Sequence, residues 1–173
     1  AAAALTGAAM RYLLPALALL IAASPAAAIP EDKTGRSGAP VPRFVSLSAS
    51  EANARAGPGE QYPIVWVYRG RGLPLEVVRE WGPWREVRDA EGEGGWILKA
   101  LLSGDRFLMA TRAVRTLHER PDVASKPVWR AEPGVVLRVV ACEPSWCRVS
   151  AGGRSGWILR AHAWGLREGE VLN

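Results

Sequence analysis

The side chains in this chain that could do chemistry are few and widely spaced. Its only histidines are His118 and His162, and its only cysteines are Cys142 and Cys147. A zinc site needs a cluster of ligands at short, regular spacings, which a Cys-x4-Cys pair with distant histidines does not supply. A Cys/His nucleophile pair needs a catalytic domain around it, and the repeats described below already consume the folded chain. Glu91 and Glu93 sit in a Gly-rich turn, where nothing would raise a carboxyl pKa. Gly70-Arg71-Gly72 and Gly92-Glu93-Gly94-Gly95 do not join a strand to a helix, so they read as turns and not as phosphate cradles. No catalytic residue, metal site or cofactor is predicted, and the chain is expected to be non-enzymatic.

Aromatic side chains are the other resource. Eight tryptophans are many for 173 residues. Trp96 and Trp157 are expected to fill small cores, because a large ring buries area efficiently. Trp81 and Trp84 flank the tight Gly82-Pro83 turn and are not both expected inside. An exposed aromatic pair beside Arg85 and Arg88 would suit a sugar face or a peptide.

What must position these residues is a duplication. Gly82-Pro83-Trp84-Arg85-Glu86-Val87 parallels Pro144-Ser145-Trp146-Cys147-Arg148-Val149, 62 residues on for the Trp pair. Gly95-Trp96-Ile97-Leu98 parallels Gly156-Trp157-Ile158-Leu159 at 61, and Gly72 to Val78 parallels Gly134 to Val140 at 62. Trp66 matches Trp129, and Pro58 matches Pro121, at 63. Blocks in the same order with single-residue shifts between them describe a tandem domain pair, not a solenoid.

Within the first copy, Arg43–Ser48, Ala52–Arg55, Ile64–Arg69, Leu75–Glu80, Trp84–Asp89 and Gly95–Leu98 read as short strands rich in Val, Ile, Trp and Leu. Gly/Pro turns separate them, no amphipathic helix interrupts them, and 99–102 fits one helical turn. The pattern predicts an all-β small barrel in each copy, joined by a short connection at 103–111. Trp84 and Val87 are three residues apart, as are Trp146 and Val149. On a regular strand these face opposite sides. Either each Trp lies on the outer face or a bulge re-aims it.

Upstream, Met10-Arg11 precedes an apolar run from Tyr12 to Ala23 that ends in Ser24-Pro25-Ala26-Ala27-Ala28. A basic start, a short apolar core and an A-x-A site read as a secretory signal peptide over 1–28, with Met10 the expected initiator. The core is short of the ~20 residues a membrane span needs. An integral span in the mature chain is not expected, because nothing after residue 28 is apolar enough. Residues 29–42, polar and rich in Pro and Gly, read as a flexible linker. Losing Arg11 alone lowers the formal net charge from +5 to +4. That charge is spread without a dense Lys/Arg block, so nucleic acid is not an expected partner. In an exported, oxidising setting the even cysteine pair suggests a Cys142–Cys147 disulfide across a hairpin.

Ala52-Asn53-Ala54-Arg55-Ala56-Gly57-Pro58, with Tyr62-Pro63-Ile64 after it, resembles the opening signature of bacterial SH3-like domains, and Gly95-Trp96-Ile97 resembles their closing Gly-Trp-Val. The likeness covers most of 43–166. It implies two SH3-like barrels, at 43–104 and 111–168, in a periplasmic or secreted protein. The implied role is binding or targeting, with peptidoglycan or a cell-envelope protein as partner. In this reading Arg55 and Tyr62 border the ligand loop and join Trp81, Trp84 and Arg85 as the candidate surface. Copy two has His118-Glu119-Arg120-Pro121 in place of Arg55-Ala56-Gly57-Pro58. Binding is therefore expected to centre on copy one.

Overall fold

A computed structural model describes residues 35–172. The signal peptide, its cleavage site and the first part of the linker lie outside the described residues. Described residues form two seven-stranded antiparallel sheets with no α-helix. The first copy comprises β1 (Arg43–Leu47), β2 (Glu51–Arg55), β3 (Ile64–Arg69), β4 (Pro74–Trp81), β5 (Trp84–Arg88), β6 (Gly94–Leu98) and β7 (Leu102–Ser103), in sheet order β3-β2-β6-β5-β4-β1-β7. The second comprises β8 (Phe107–Ala110), β9 (Arg115–His118), β10 (Pro127–Ala131), β11 (Val136–Cys142), β12 (Trp146–Ala151), β13 (Arg154–Leu159) and β14 (Ala163–Trp164). Its order, β10-β9-β13-β12-β11-β8-β14, repeats the first strand for strand. Lys99–Leu101 and Arg160–His162 each make one 3-10 turn at the same place in the two copies. The stretch 103–111, expected as a connection, contains β8, the counterpart of β1.

Each copy has its own core. Leu47, Ala54, Tyr68, Leu75, Val77, Val87 and Ile97 pack in the first, and Leu108, Leu117, Leu137, Val149 and Ile158 in the second. Core volume is conserved by exchange. Ala54 and Tyr68 in copy one stand where Leu117 and Ala131 stand in copy two, so a small–large pair becomes large–small, which a close-packed interior tolerates. Trp96 and Trp157, expected in the cores, are only partly buried; the neighbouring Ile97 and Ile158 point inward instead. The alternation of a strand allows only one of each adjacent pair inside. Gly94 is required by close approach, since a Cβ there would lie 2.0 Å from the Val87 carbonyl oxygen.

Two β-bulges recur in both copies. Pairing of β4 with β5 skips Val78, and pairing of β11 with β12 skips Val140. Likewise β3 carries an extra Val65 against β2, and β10 an extra Val128 against β9. Pairing of β5, and not the bulge beside it, decides between the two readings of Trp84. Strand β5 itself pairs regularly with β6, so Trp84 faces away from Val87 and lies outside the core cluster. The extra residue instead re-aims the end of β4: after Leu75 and Val77 it is Glu80, not Arg79, that turns inward. In β11 the same phase change turns Cys142 inward after Leu137 and Val139.

Residues 35–42, expected to be flexible, are pinned to the β4–β5 hairpin. Ser37 donates its backbone N–H to the Glu80 carboxylate at 2.7 Å and its hydroxyl at 2.9 Å. The Arg36 guanidinium lies 4.0 Å over the Trp81 ring, and Arg43 donates to Glu80 at 2.6 Å. A sequence rich in Pro and Gly gives no periodicity of its own; it is ordered here by hydrogen bonds and a cation–π contact to residues more than 35 positions away. The chain end does the same for copy two. Leu172 exchanges backbone hydrogen bonds with Cys142, and Glu170 pairs with Arg106, the counterpart of Arg43.

The two copies touch through their first and last strands. Phe44 of β1 meets Trp164 of β14 edge to face, with ring centroids 5.0 Å apart. Gly165 fits between Pro74 and β8; a Cβ there would lie 2.5 Å from the Phe107 carbonyl oxygen, and its φ of 119° favours glycine.

Candidate functional site

The sequence-derived candidates separate into three places. Arg55 ends β2, and its guanidinium donates to the backbone carbonyls of Glu60 at 3.0 Å and Tyr62 at 2.8 Å. It thus shapes the 56–63 loop from within, because a planar fork with several N–H donors can hold two carbonyls at once. Tyr62 is exposed on that loop and Gly57 lies flat against its ring.

Trp84 is 7% exposed and Arg85 4% exposed, so the expected open aromatic pair beside an arginine is not formed. Trp81 alone is out, at 51%, under the Arg36 guanidinium. The reason is the strand phase. With Trp84 on the outer face, Arg85 must point inward, and there it meets Glu80, Nε to Oε1 at 3.1 Å. The contact is an ion pair without hydrogen-bond alignment; Arg85 instead donates to the carbonyls of Gly82 and Trp84, both at 2.8 Å. Burial on its own would raise the Glu80 carboxyl. The Ser37 N–H, Arg43 and the Ser37 hydroxyl outweigh it and hold the carboxyl down at about 2. Arg85 therefore serves as a counter-ion inside the hairpin.

Trp84 and Arg55 do come together. They line one depression of about 170 Å³ with Glu51, Ala52, Asn53, Glu60, Leu98 and Leu101. Indole and leucine side chains supply an apolar floor. Two carboxylates, one amide and one guanidinium supply polar groups, Glu51 being paired with Arg69 at 2.9 Å. Glu51, Asn53 and Glu60 were missed in the sequence. Alternation would have found the first two, since Glu51, Asn53 and Arg55 share the outward face of β2.

In copy two, Cys142 and Cys147 form the expected disulfide, between directly paired residues of β11 and β12. The 119–126 loop keeps the frame of 56–63 despite its different sequence. His118 stands where Arg55 stands, and its Nδ1 lies 3.1 Å from the Ser125 carbonyl, the counterpart of Tyr62. Among the described residues, no group of three or more His, Cys, Asp or Glu is placed to hold a metal ion, and no helix is long and apolar enough to cross a membrane.

The family profile described as bacterial SH3 domain matches this chain twice, at residues 48–104 and 115–165. Among curated proteins, the chain is 23% identical over 125 residues to "Putative N-acetylmuramoyl-L-alanine amidase YrvJ" of Bacillus subtilis (strain 168). That alignment takes in 65% of this chain and 24% of the relative, so the chain spans about a quarter of that protein's length. Among solved structures, NlpC2 from Trichomonas vaginalis aligns with a TM-score of 0.34 at 13% identity, over 71% of this chain and 48% of that one. An NlpC/P60 family protein from Bacillus cereus ATCC 10987 aligns with a TM-score of 0.33 at 14% identity, over 72% and 57%.

Proposed function

Because the chain belongs to the bacterial SH3 domain family, with two copies in tandem, we propose that it is an exported, non-enzymatic binding module whose first copy engages peptidoglycan at the Arg55–Glu60–Trp84 depression. The observation that carries this reading is the convergence of Trp84 and two leucines with polar groups of β2 and with Glu60, on a loop that Arg55 fixes in advance. Pre-ordering the loop removes part of the entropy a ligand would otherwise have to overcome. The ligand class comes from the Bacillus subtilis relative, whose name makes it an amidase at an N-acetylmuramoyl-L-alanine linkage. A depression of about 170 Å³ takes a sugar substituent or one or two residues of a peptide, not a whole saccharide. Purified sacculi test it. The chain is expected to co-sediment at low salt, and Glu60→Lys, which reverses charge at the loop without touching the core, is expected to reduce retention at least several-fold. No retention of the parent chain would end the peptidoglycan reading.

A second reading, capture of a cell-envelope protein, is favoured by one feature. Strand β3 lies at the edge of its sheet with Ile64, Val65 and Trp66 all exposed. An unprotected apolar edge can accept an added strand. Cross-linking from position 66 in cells, with a single dominant protein adduct, would support this alternative over the first.

A further inference from the structure

The repeat carries the lining positions of the first depression into copy two, where their chemistry differs. Carrying the lining positions across by strand register, Glu51 becomes Val114, Ala52 becomes Arg115, Glu60 becomes Val123, Arg55 becomes His118 and Leu101 becomes His162. Both carboxylates of the first depression are replaced by valine. Both histidines of the chain fall at this one place.

Contacts in copy two bear the correspondence out. The His118 ring packs on Trp146, the counterpart of Trp84, with centroids 5.8 Å apart, so the same two wall positions meet in both copies. Trp146 is partly buried, where Trp84 is 7% exposed. Val114 is 54% and Val123 66% exposed. Arg115 is anchored by donating to the Thr111 carbonyl at 3.0 Å, and Thr111 in turn donates to the His162 carbonyl at 3.1 Å. That chain of bonds ties the Arg115 guanidinium to the backbone of His162. In the loop, the Asp122 carboxylate accepts from the Ala124 N–H at 2.9 Å, and Glu119 is followed by Arg120.

We propose that copy two carries its own ligand site at Arg115, His118, Trp146 and His162, suited to a peptide that ends in a free carboxylate next to a small apolar side chain. The apolar side chain lies among Val114, Val123 and Trp146. The carboxylate faces Arg115 and His162, where the first copy would repel it with Glu51 and Glu60. The tandem pair then carries two grooves of opposite preference, in place of one working copy and one structural copy.

The test uses the whole chain and the peptide acetyl-Gly-Val-Ala in two forms, with a free carboxylate and with a C-terminal amide. Backbone amide shifts are followed by NMR, which separates the copies without relying on any of the eight tryptophans. The free acid is expected to shift residues of 114–123, 146 and 162, and the amide to bind at least 10-fold more weakly. Val123→Glu and Arg115→Gln should each weaken the acid at least 5-fold, while Glu60→Gln should leave it unchanged; Val123 is a loop residue, so its variant is not expected to disturb the fold. Equal binding of acid and amide, shifts confined to residues 51–60 and 84, or no shifts with either form would overturn the proposal. Sacculus retention through copy one can fail or succeed independently of each of these results.

Discussion

Glu80 and Arg85 face each other across the β4–β5 hairpin at the register positions that Cys142 and Cys147 occupy across β11–β12. One copy closes this point with a buried ion pair, the other with a covalent bond. The substitution is possible because the Val78 and Val140 bulges turn both first partners inward. The ion pair needs more support. Glu80 carries Ser37 and Arg43 as well as Arg85, whereas the disulfide is neutral and joins the apolar core directly.

This relationship makes the two solutions exchangeable. The double variant Glu80→Cys/Arg85→Cys is expected to form a second disulfide in oxidised protein, detected as the loss of two titratable thiols. It should retain stability within about 2 kcal/mol of the parent, since the buried charges leave together. Arg85→Ala alone leaves Glu80 with Arg43 and Ser37 but opens a cavity, and should cost about 3 kcal/mol in urea unfolding.

Acid should unfold copy one through the same residue. The Glu80 carboxyl sits at about 2 in the folded protein against an ordinary 4.5. A depressed carboxyl contributes stability that is fully present above the ordinary value and is lost as pH falls through the folded one. The window is therefore about pH 5 to pH 2, and the amount roughly 3 kcal/mol. Glu80→Gln should flatten the fall in urea-unfolding stability over that range. It should not abolish the fall, because Glu170 is also held below its ordinary value: burial raises it, but Arg106 and the Arg167 N–H outweigh the burial.

Loop order should depend on Arg55 in copy one and on His118 in copy two. Arg55→Ala releases the Glu60 and Tyr62 carbonyls, at a cost of about 1–2 kcal/mol. Amide hydrogen exchange should speed up in 56–63 and stay unchanged in 119–126. His118→Ala should give the reverse pattern, since its ring meets the Ser125 carbonyl and Trp146 within its own copy.

Coupling between the copies should run through the Phe44–Trp164 contact. Phe44→Ala removes a buried ring and is expected to cost about 3 kcal/mol. Calorimetry checks the coupling. The parent should unfold in one transition and the variant in two, because modules of about 60 residues bury too little surface to be robust alone. A single transition at lower temperature would place the loss in copy one and not at the contact.

Much of this molecule was legible from residue order alone. Spacings of 61 to 63 residues fixed the duplication, alternating apolar residues between Gly/Pro turns fixed the strands, and two cysteines flanking a hairpin turn fixed the disulfide. These depend on local period and turn chemistry, which neighbouring residues encode. Tertiary structure alone decided what lies beyond that range. A single unpaired valine in β4 chose Glu80 over Arg79 for the interior, opposite the Arg85 that the alternation of β5 already turns inward. A bulge is a property of two strands in register, so no pattern within one strand reveals it. Residues 35–42 read as a tether because their partners, Glu80 and Trp81, are distant in sequence. Copy two's loop looked lost because His118 does not resemble Arg55, yet both hold the same carbonyl. The frame selects a donor at that position, and an imidazole nitrogen meets the need as a guanidinium does.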